Sequence, residues 1–165
     1  MIDQLKKLLE MQRELDNAIH KEKGVIHNPY EKLQIALFVE LGEMMQELPT
    51  SFKYWKSSAK NNRNKALVEY VDVLHFALSL ANAQGLIFRS ELENGSEVFD
   101  YNSRYIANLS LLPLQKLLYA TVEKEYMQLT FLFALGVKLG FTWGEIYTVY
   151  HMKNAENWKR LASGY

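Results

Sequence analysis

A chain of 165 residues with 48% hydrophobic residues and a formal net charge of +0 has the length and apolar content for one globular domain with a substantial core. Without a basic excess it lacks the electrostatic footprint of a protein that grips a long phosphate backbone, so a nucleic-acid partner is not expected. Cysteine is absent, which removes disulfides, thiolate nucleophiles and cysteine-held zinc, and suits a reducing compartment.

Near the N-terminus Lys6, Lys7 and Glu10 interrupt any apolar run that could act as a signal peptide. The longest apolar stretches, 74–83 and 129–137, fall short of the roughly 20 residues of a spanning helix. A soluble, cytoplasmic protein without a membrane partner is the expectation.

Leu5, Leu8, Leu9, Gln12, Leu15 and Ile19 recur at helical spacing, which predicts a first amphipathic helix from residue 2 to about 21, stopped near Gly24. Gln12 and Asp16 stand one turn apart beside its apolar stripe, either as plain boundary residues or as groups that recognise a base. Asn28 and Pro29 predict the cap and first turn of a second helix, which runs to about residue 48 and is stopped by Pro49. It carries Glu40, Glu43 and Glu47 on one face. The polar segment that follows holds Phe52-Lys53-Tyr54-Trp55-Lys56, a packing plug or a stacking surface flanked by cations.

A third helix is expected from about 65 to 84, with Gly85 as its stop. Leu67, Val71, Leu74, Leu78 and Ala81 form its stripe, and Val73 and Leu80 flank Glu69 and Asp72 on the opposite side. A helix apolar nearly all round is a buried helix, and a buried carboxylate needs a cationic partner or a metal. Residues 88–104, with Glu93-Asn94-Gly95, read as a long irregular loop or a short hairpin, followed by a short helix over 103–109. Pro113 opens one further helix reaching about residue 139, ended by Gly140. Thr142-Trp143-Gly144-Glu145 is a capping box for a last helix to about residue 161. No segment alternates long enough for a sheet, so the fold class is all-α, a bundle of five to six helices with a four-helix catalytic core.

Glu40-Leu41-Gly42-Glu43 and Glu69-Tyr70-Val71-Asp72 each place two carboxylates almost one turn apart on one face. Three chemistries suit four convergent acids. Hard cations such as Mg²⁺ take oxygen ligands and share them with substrate phosphates. A di-iron or di-manganese bundle needs Glu-x-x-His pairs, which this chain lacks: His75 follows Asp72, while His20, His27 and His151 are scattered. A solvated acidic face is the ordinary case for one pair on an amphipathic helix, and less fitting for two pairs on two apolar ones. The last helix favours the first chemistry. Its Tyr150, Lys153, Asn154, Asn157 and Arg160 gather donors on one side, as a polyphosphate requires.

Taken together, Glu40-Leu41-Gly42-Glu43 through Phe52-Lys53-Tyr54-Trp55, then Glu69-Tyr70-Val71-Asp72-Val73-Leu74-His75-Phe76, then Tyr150 to Arg160, closely resemble the dimeric dUTPases. These are all-α, MazG-like nucleotide pyrophosphohydrolases. The resemblance implies Mg²⁺-dependent hydrolysis of dUTP, and of dUDP, to dUMP with attack at the β-phosphorus, in a homodimer. It implies two or more Mg²⁺ per site, replaceable by Mn²⁺, on Glu40, Glu43, Glu69 and Asp72, with Glu40 or Glu43 orienting the water and Glu40 favoured as base. Lys153, Asn157 and Arg160, with Tyr150 and Asn154, would hold phosphates. Gln12 would read the uracil edge, with Asp16 in a region where some relatives carry an amide, and Trp55 and His75 would line the base and sugar pocket. Where the family often has Gln after the terminal Arg this chain has Leu161, and it keeps a Gly164-Tyr165 ending. The alternatives are a related pyrophosphohydrolase with another base preference, such as dCTP, and a non-catalytic helical interaction module.

Overall fold

The computed structural model describes residues 1–85, 103–124 and 127–164. Residues 88–102 of the loop expected over 88–104, and Tyr165 of the Gly-Tyr ending, lie outside the described residues. Among them the chain forms seven α-helices and no strand: α1 (Ile2–Lys23), α2 (Tyr30–Gln46), α3 (Arg63–Gln84), α4 (Arg104–Ser110), α5 (Leu114–Glu123), α6 (Gln128–Lys138) and α7 (Trp143–Ala162). A short 3-10 turn, Pro49–Ser51, follows α2. The all-α bundle is therefore as the sequence implies, with one or two more helices than expected.

α3 is the axis of the bundle and packs on α1, α2, α6 and α7. Its near-continuous apolar sequence fits that place, since Tyr70, Val71, Val73, Leu74, Leu78 and Leu80 are all shut from solvent. The whole helix, rather than the stretch 74–83, is long and apolar enough to pass for a membrane span by composition. In the fold, 67% of that apolar window is buried against the other helices. Tyr70 is accommodated in the core because its hydroxyl donates to the Leu132 carbonyl at 2.8 Å.

Helix ends follow local chemistry. Gly24 and Gly85 take positive φ, 63° and 62°, where α1 and α3 stop. Asn62 caps α3 by accepting from the Lys65 N–H. Thr142 and Glu145 form the expected box, each side chain accepting from the other's backbone N–H. Glu145 also forms a bidentate pair with Arg63 at 2.9 Å, which ties the start of α7 to the start of α3.

Two expectations are corrected. Asn28 is not the cap of α2: Pro29 occupies that position, its carbonyl accepts from the Leu33 N–H, and no side chain caps the helix. The single helix expected from Pro113 to about 139 is two, broken at Lys124, whose φ and ψ are −93° and 69°. Charged Glu123 and Lys124 give a continued helix no apolar grip there, whereas a break lets α5 and α6 pack on one another.

Candidate active site

α1, α2, α3 and α7 enclose one side each of a cavity of about 1020 Å³. α2 contributes Glu40 and Glu43, α3 contributes Glu69, Asp72, His75, Phe76 and Ser79, α1 contributes Gln12 and Asp16, and α7 contributes Lys153, Asn157 and Arg160. Because the pairs on α2 and α3 each span almost one turn, packing these two helices side by side brings the acids face to face.

Carboxylate oxygens of Glu40, Glu43 and Glu69 lie within 4.8 Å of one another. Asp72 is turned to another partner: its Oδ2 accepts from Lys153 Nζ at 2.9 Å. Burial pushes the Glu40 carboxyl up to about 7, helped by the negative charges of Asp72, Glu43 and Glu69. Burial likewise raises Glu69, with Asp72 and Glu43 adding to it. For Asp72 burial outweighs the hydrogen bond and charge of Lys153, so it too is raised. Among the described residues, no Lys, Arg or His forms an ion pair with Glu40, Glu43 or Glu69. Glu40 and Glu69, partly buried beside the exposed Glu43, repel one another, and the Lys153 charge offsets this without a direct ion pair, so the three form a donor set that fits a hard divalent cation.

A polar network closes the other end of the cavity. Gln12 Nε2 donates to Asp16 at 2.9 Å and to Ser79 at 3.0 Å, while the Ser79 hydroxyl donates to Asp16 at 3.0 Å. Gln12 Oε1 accepts from the Tyr150 hydroxyl at 2.9 Å and lies 2.6 Å from His75 Nδ1. The His75 ring stacks on Tyr150 with centroids 4.2 Å apart. Burial pulls His75 down to about 3, with the Lys153 charge adding to it, so the ring is neutral. Asp16 is pushed up by burial, against the pull of its hydrogen bonds from Gln12 and Ser79.

The structure thus gathers Glu40, Glu43, Glu69, Asp72, Lys153, Asn157, Arg160, Gln12, Asp16 and His75 around one cavity. It does not bring the other three. Tyr150 and Asn154 are buried behind the wall, at 0% and 4% exposure. Trp55 is 67% exposed and stands edge-on to Tyr54, away from the cavity lining. The lining also includes Lys23, Lys32, His20 and His27, at the end of α1, along α2 and in the turn between them. Periodicity gives no sign of these, because it marks what faces the core and not what faces a cleft between two helices.

A family model described as dUTPase matches residues 4–165. A comparison with curated proteins gives no match. The match spans almost the whole chain, including every helix that lines the cavity, and the all-helical architecture agrees with it. The chain belongs to the all-α dUTPase family and is a dUTP diphosphatase.

Proposed function

We propose that this cavity binds dUTP with Mg²⁺ and hydrolyses it to dUMP and pyrophosphate, accepts dUDP as well, and works in a homodimer. The observation that carries the reading is the opposition, across one cavity, of three clustered carboxylates without a direct ion pair among the described residues and the donors Lys153, Asn157 and Arg160.

Glu40, Glu43 and Glu69, joined by Asp72, would hold the metal. Once bound, the metal supplies charge neutralisation for the phosphates and lowers the pKa of a water molecule. The protein's own groups do the rest. Glu40, the most buried of the three clustered acids, takes the proton of the attacking water as general base. Lys153 is a point charge and Arg160 a planar fork for phosphate oxygens, with Asn157 a neutral donor beside them. Attack at the β-phosphorus leaves the new oxygen on pyrophosphate and dUMP as the leaving group. Such chemistry asks mainly for positioning and charge stabilisation. Leu15, Ile19, Leu33 and Phe76 give the cavity an apolar wall for the nucleoside.

Pyrophosphate release from each deoxynucleoside triphosphate, with and without Mg²⁺, tests the reading. Turnover of dUTP far above dTTP and dCTP, abolished by chelation, is the expected pattern. A preference for dCTP, or turnover indifferent to chelation, would overturn it.

The dimer rests on α2. Its outer face carries Ile35, Phe38 and Val39 at 57%, 64% and 48% exposure, beside a groove bordered by Val122 and Gln128. An apolar stripe at i, i+3, i+4 on the solvent side of a helix is an interaction surface, and a second copy is the occupant we assign. Sedimentation velocity should give twice the chain mass.

A further inference from the structure

Gln12 is 4% exposed, and every hydrogen-bonding valence of its amide is engaged. Nε2 donates to Asp16 and Ser79, and Oε1 faces the Tyr150 hydroxyl and His75 Nδ1. An amide offers two N–H groups and two lone pairs, so this one has none left for a base edge.

The same five groups could be wired in reverse. With the amide turned over, Nε2 would donate to the Tyr150 hydroxyl and to His75 Nδ1, and Tyr150 would donate to the Leu8 carbonyl, 3.3 Å away. The Gln12 oxygen would then need donors from Ser79 and from position 16. Asp16 Oδ1 already accepts from both Gln12 Nε2 and the Ser79 hydroxyl, so position 16 is engaged as an acceptor, and this breaks the symmetry between the two arrangements. A carbonyl oxygen therefore faces His75 Nδ1, and only a protonated Nδ1 can bond to it. In a neutral ring Nε2 is then a bare lone pair.

That lone pair has no partner. His75 Nε2 is buried without a hydrogen bond among the described residues, while the ring lines the cavity between Asp72 and Ser79. A buried acceptor left unpaired costs free energy that a bound donor would recover. Along α3 the acids at 69 and 72 mark the phosphate end of the cavity. His75, one turn on, therefore faces the nucleoside.

We propose that Asp16 is a positioning residue which, through Gln12, fixes His75 as the Nδ1–H tautomer, so that Nε2 accepts a hydrogen bond from a donor on the bound nucleoside. The proposal rests on the nucleotide reading of the cavity. The deoxyuridine part of the nucleotide, its 5′-oxygen esterified, has two such donors, the 3′-hydroxyl and the N3–H. If N3–H is the one, the same atom discriminates against cytosine, whose N3 is an acceptor. Because Nε2 is sealed in the free protein, a neighbouring side chain yields as the nucleoside binds.

Long-range ¹H–¹⁵N correlation spectra of the His75 ring test the first half in the free protein, without any nucleotide. The wild type should show the Nδ1–H tautomer alone, and Asp16→Asn, in which position 16 can donate, should shift the ring toward Nε2–H with an unchanged far-UV spectrum. A wild-type Nε2–H ring overturns the proposal even if the variant does not fold, and so does an unchanged tautomer in a folded variant. Binding of dUMP, its 2′,3′-dideoxy analogue and its N3-methyl analogue tests the second half. One analogue should bind about tenfold more weakly than dUMP, the magnitude of one hydrogen bond, and that gap should shrink in Asp16→Asn. Equal binding of all three overturns the assignment of a nucleoside donor. Failure of dUMP to bind at all overturns the nucleotide reading, an outcome the tautomer spectrum tells apart.

Discussion

Glu43 and Lys153 separate the two halves of the site at the level of single residues. Glu43 is exposed and sits on the surface side of the acidic cluster, so Glu43→Gln leaves packing intact while it replaces one charged ligand by a neutral amide. We expect unchanged melting in EDTA and a fall in Mg²⁺-dependent turnover of about 100-fold or more, since even outer-sphere partners of a metal are worth about 10–100-fold. Full activity of this variant would remove Glu43 from the metal site. Lys153 is held by Asp72 in the free protein. Lys153→Ala removes a charged donor worth roughly 1.5–3 kcal/mol to a phosphate, which corresponds to about 10- to 100-fold in kcat/KM. Unchanged kcat/KM in a destabilised protein would make the residue structural. The acids and these donors were legible because helical spacing alone decides which side chains share a face. Tyr150 and Asn154 share that spacing but are rotated into the core, which spacing cannot resolve, and Trp55 sits on a segment with no periodicity to place it.

The start of α7 decides where the proposed phosphate donors stand, because this helix is anchored there and carries Lys153, Asn157 and Arg160 along its later turns. Glu145 closes the capping box with Thr142 and grips Arg63 on α3, while Trp143 Nε1 donates to Gln4 on α1 at 2.7 Å. Thr142→Ala removes one side of the box and should cost about 1 kcal/mol in a denaturant titration, as losses of Ser/Thr caps do. If α7 is held in register by this anchor, KM for dUTP should rise as well. An unchanged midpoint would show that the ion pair with Arg63 suffices. The box was legible from Thr142-x-x-Glu145, as were the glycine stops, because caps are local chemistry. The break at Lys124 was not, because the apolar spacing continues on both sides, and exposed Glu123 and Lys124 look like ordinary surface residues until α5 and α6 are seen to pack on one another.

For the whole molecule, opposed titrations make stability a test of the metal reading. Without metal, Glu40 holds its proton up to about 7, against 4.5 ordinarily. A carboxyl raised in this way contributes stability that is complete below pH 4.5 and lost as pH climbs to about 7. His75 acts the other way: its pKa falls from 6.5 to about 3, so its neutral burial costs stability as pH drops below 6.5. Glu145, held down at about 2 by Arg63 and the Thr142 backbone, contributes above pH 4.5 and is lost only below it. Between pH 4.5 and 6.5 the Glu40 and His75 contributions oppose each other, so the melting temperature of the metal-free protein alone decides little. The difference between Mg²⁺-loaded and EDTA-treated protein is informative, since His75 and Glu145 enter both states alike. To bind, the metal must displace the Glu40 proton, so its affinity should weaken up to about tenfold for each pH unit below 7. Ligand stabilisation follows the logarithm of that affinity. The Mg²⁺-induced rise in melting temperature should therefore be smallest at pH 5.5, grow through pH 7 and level off by pH 8. An increment that is flat across this range would remove Glu40 from the metal-binding set and return the acidic cluster to an ordinary surface.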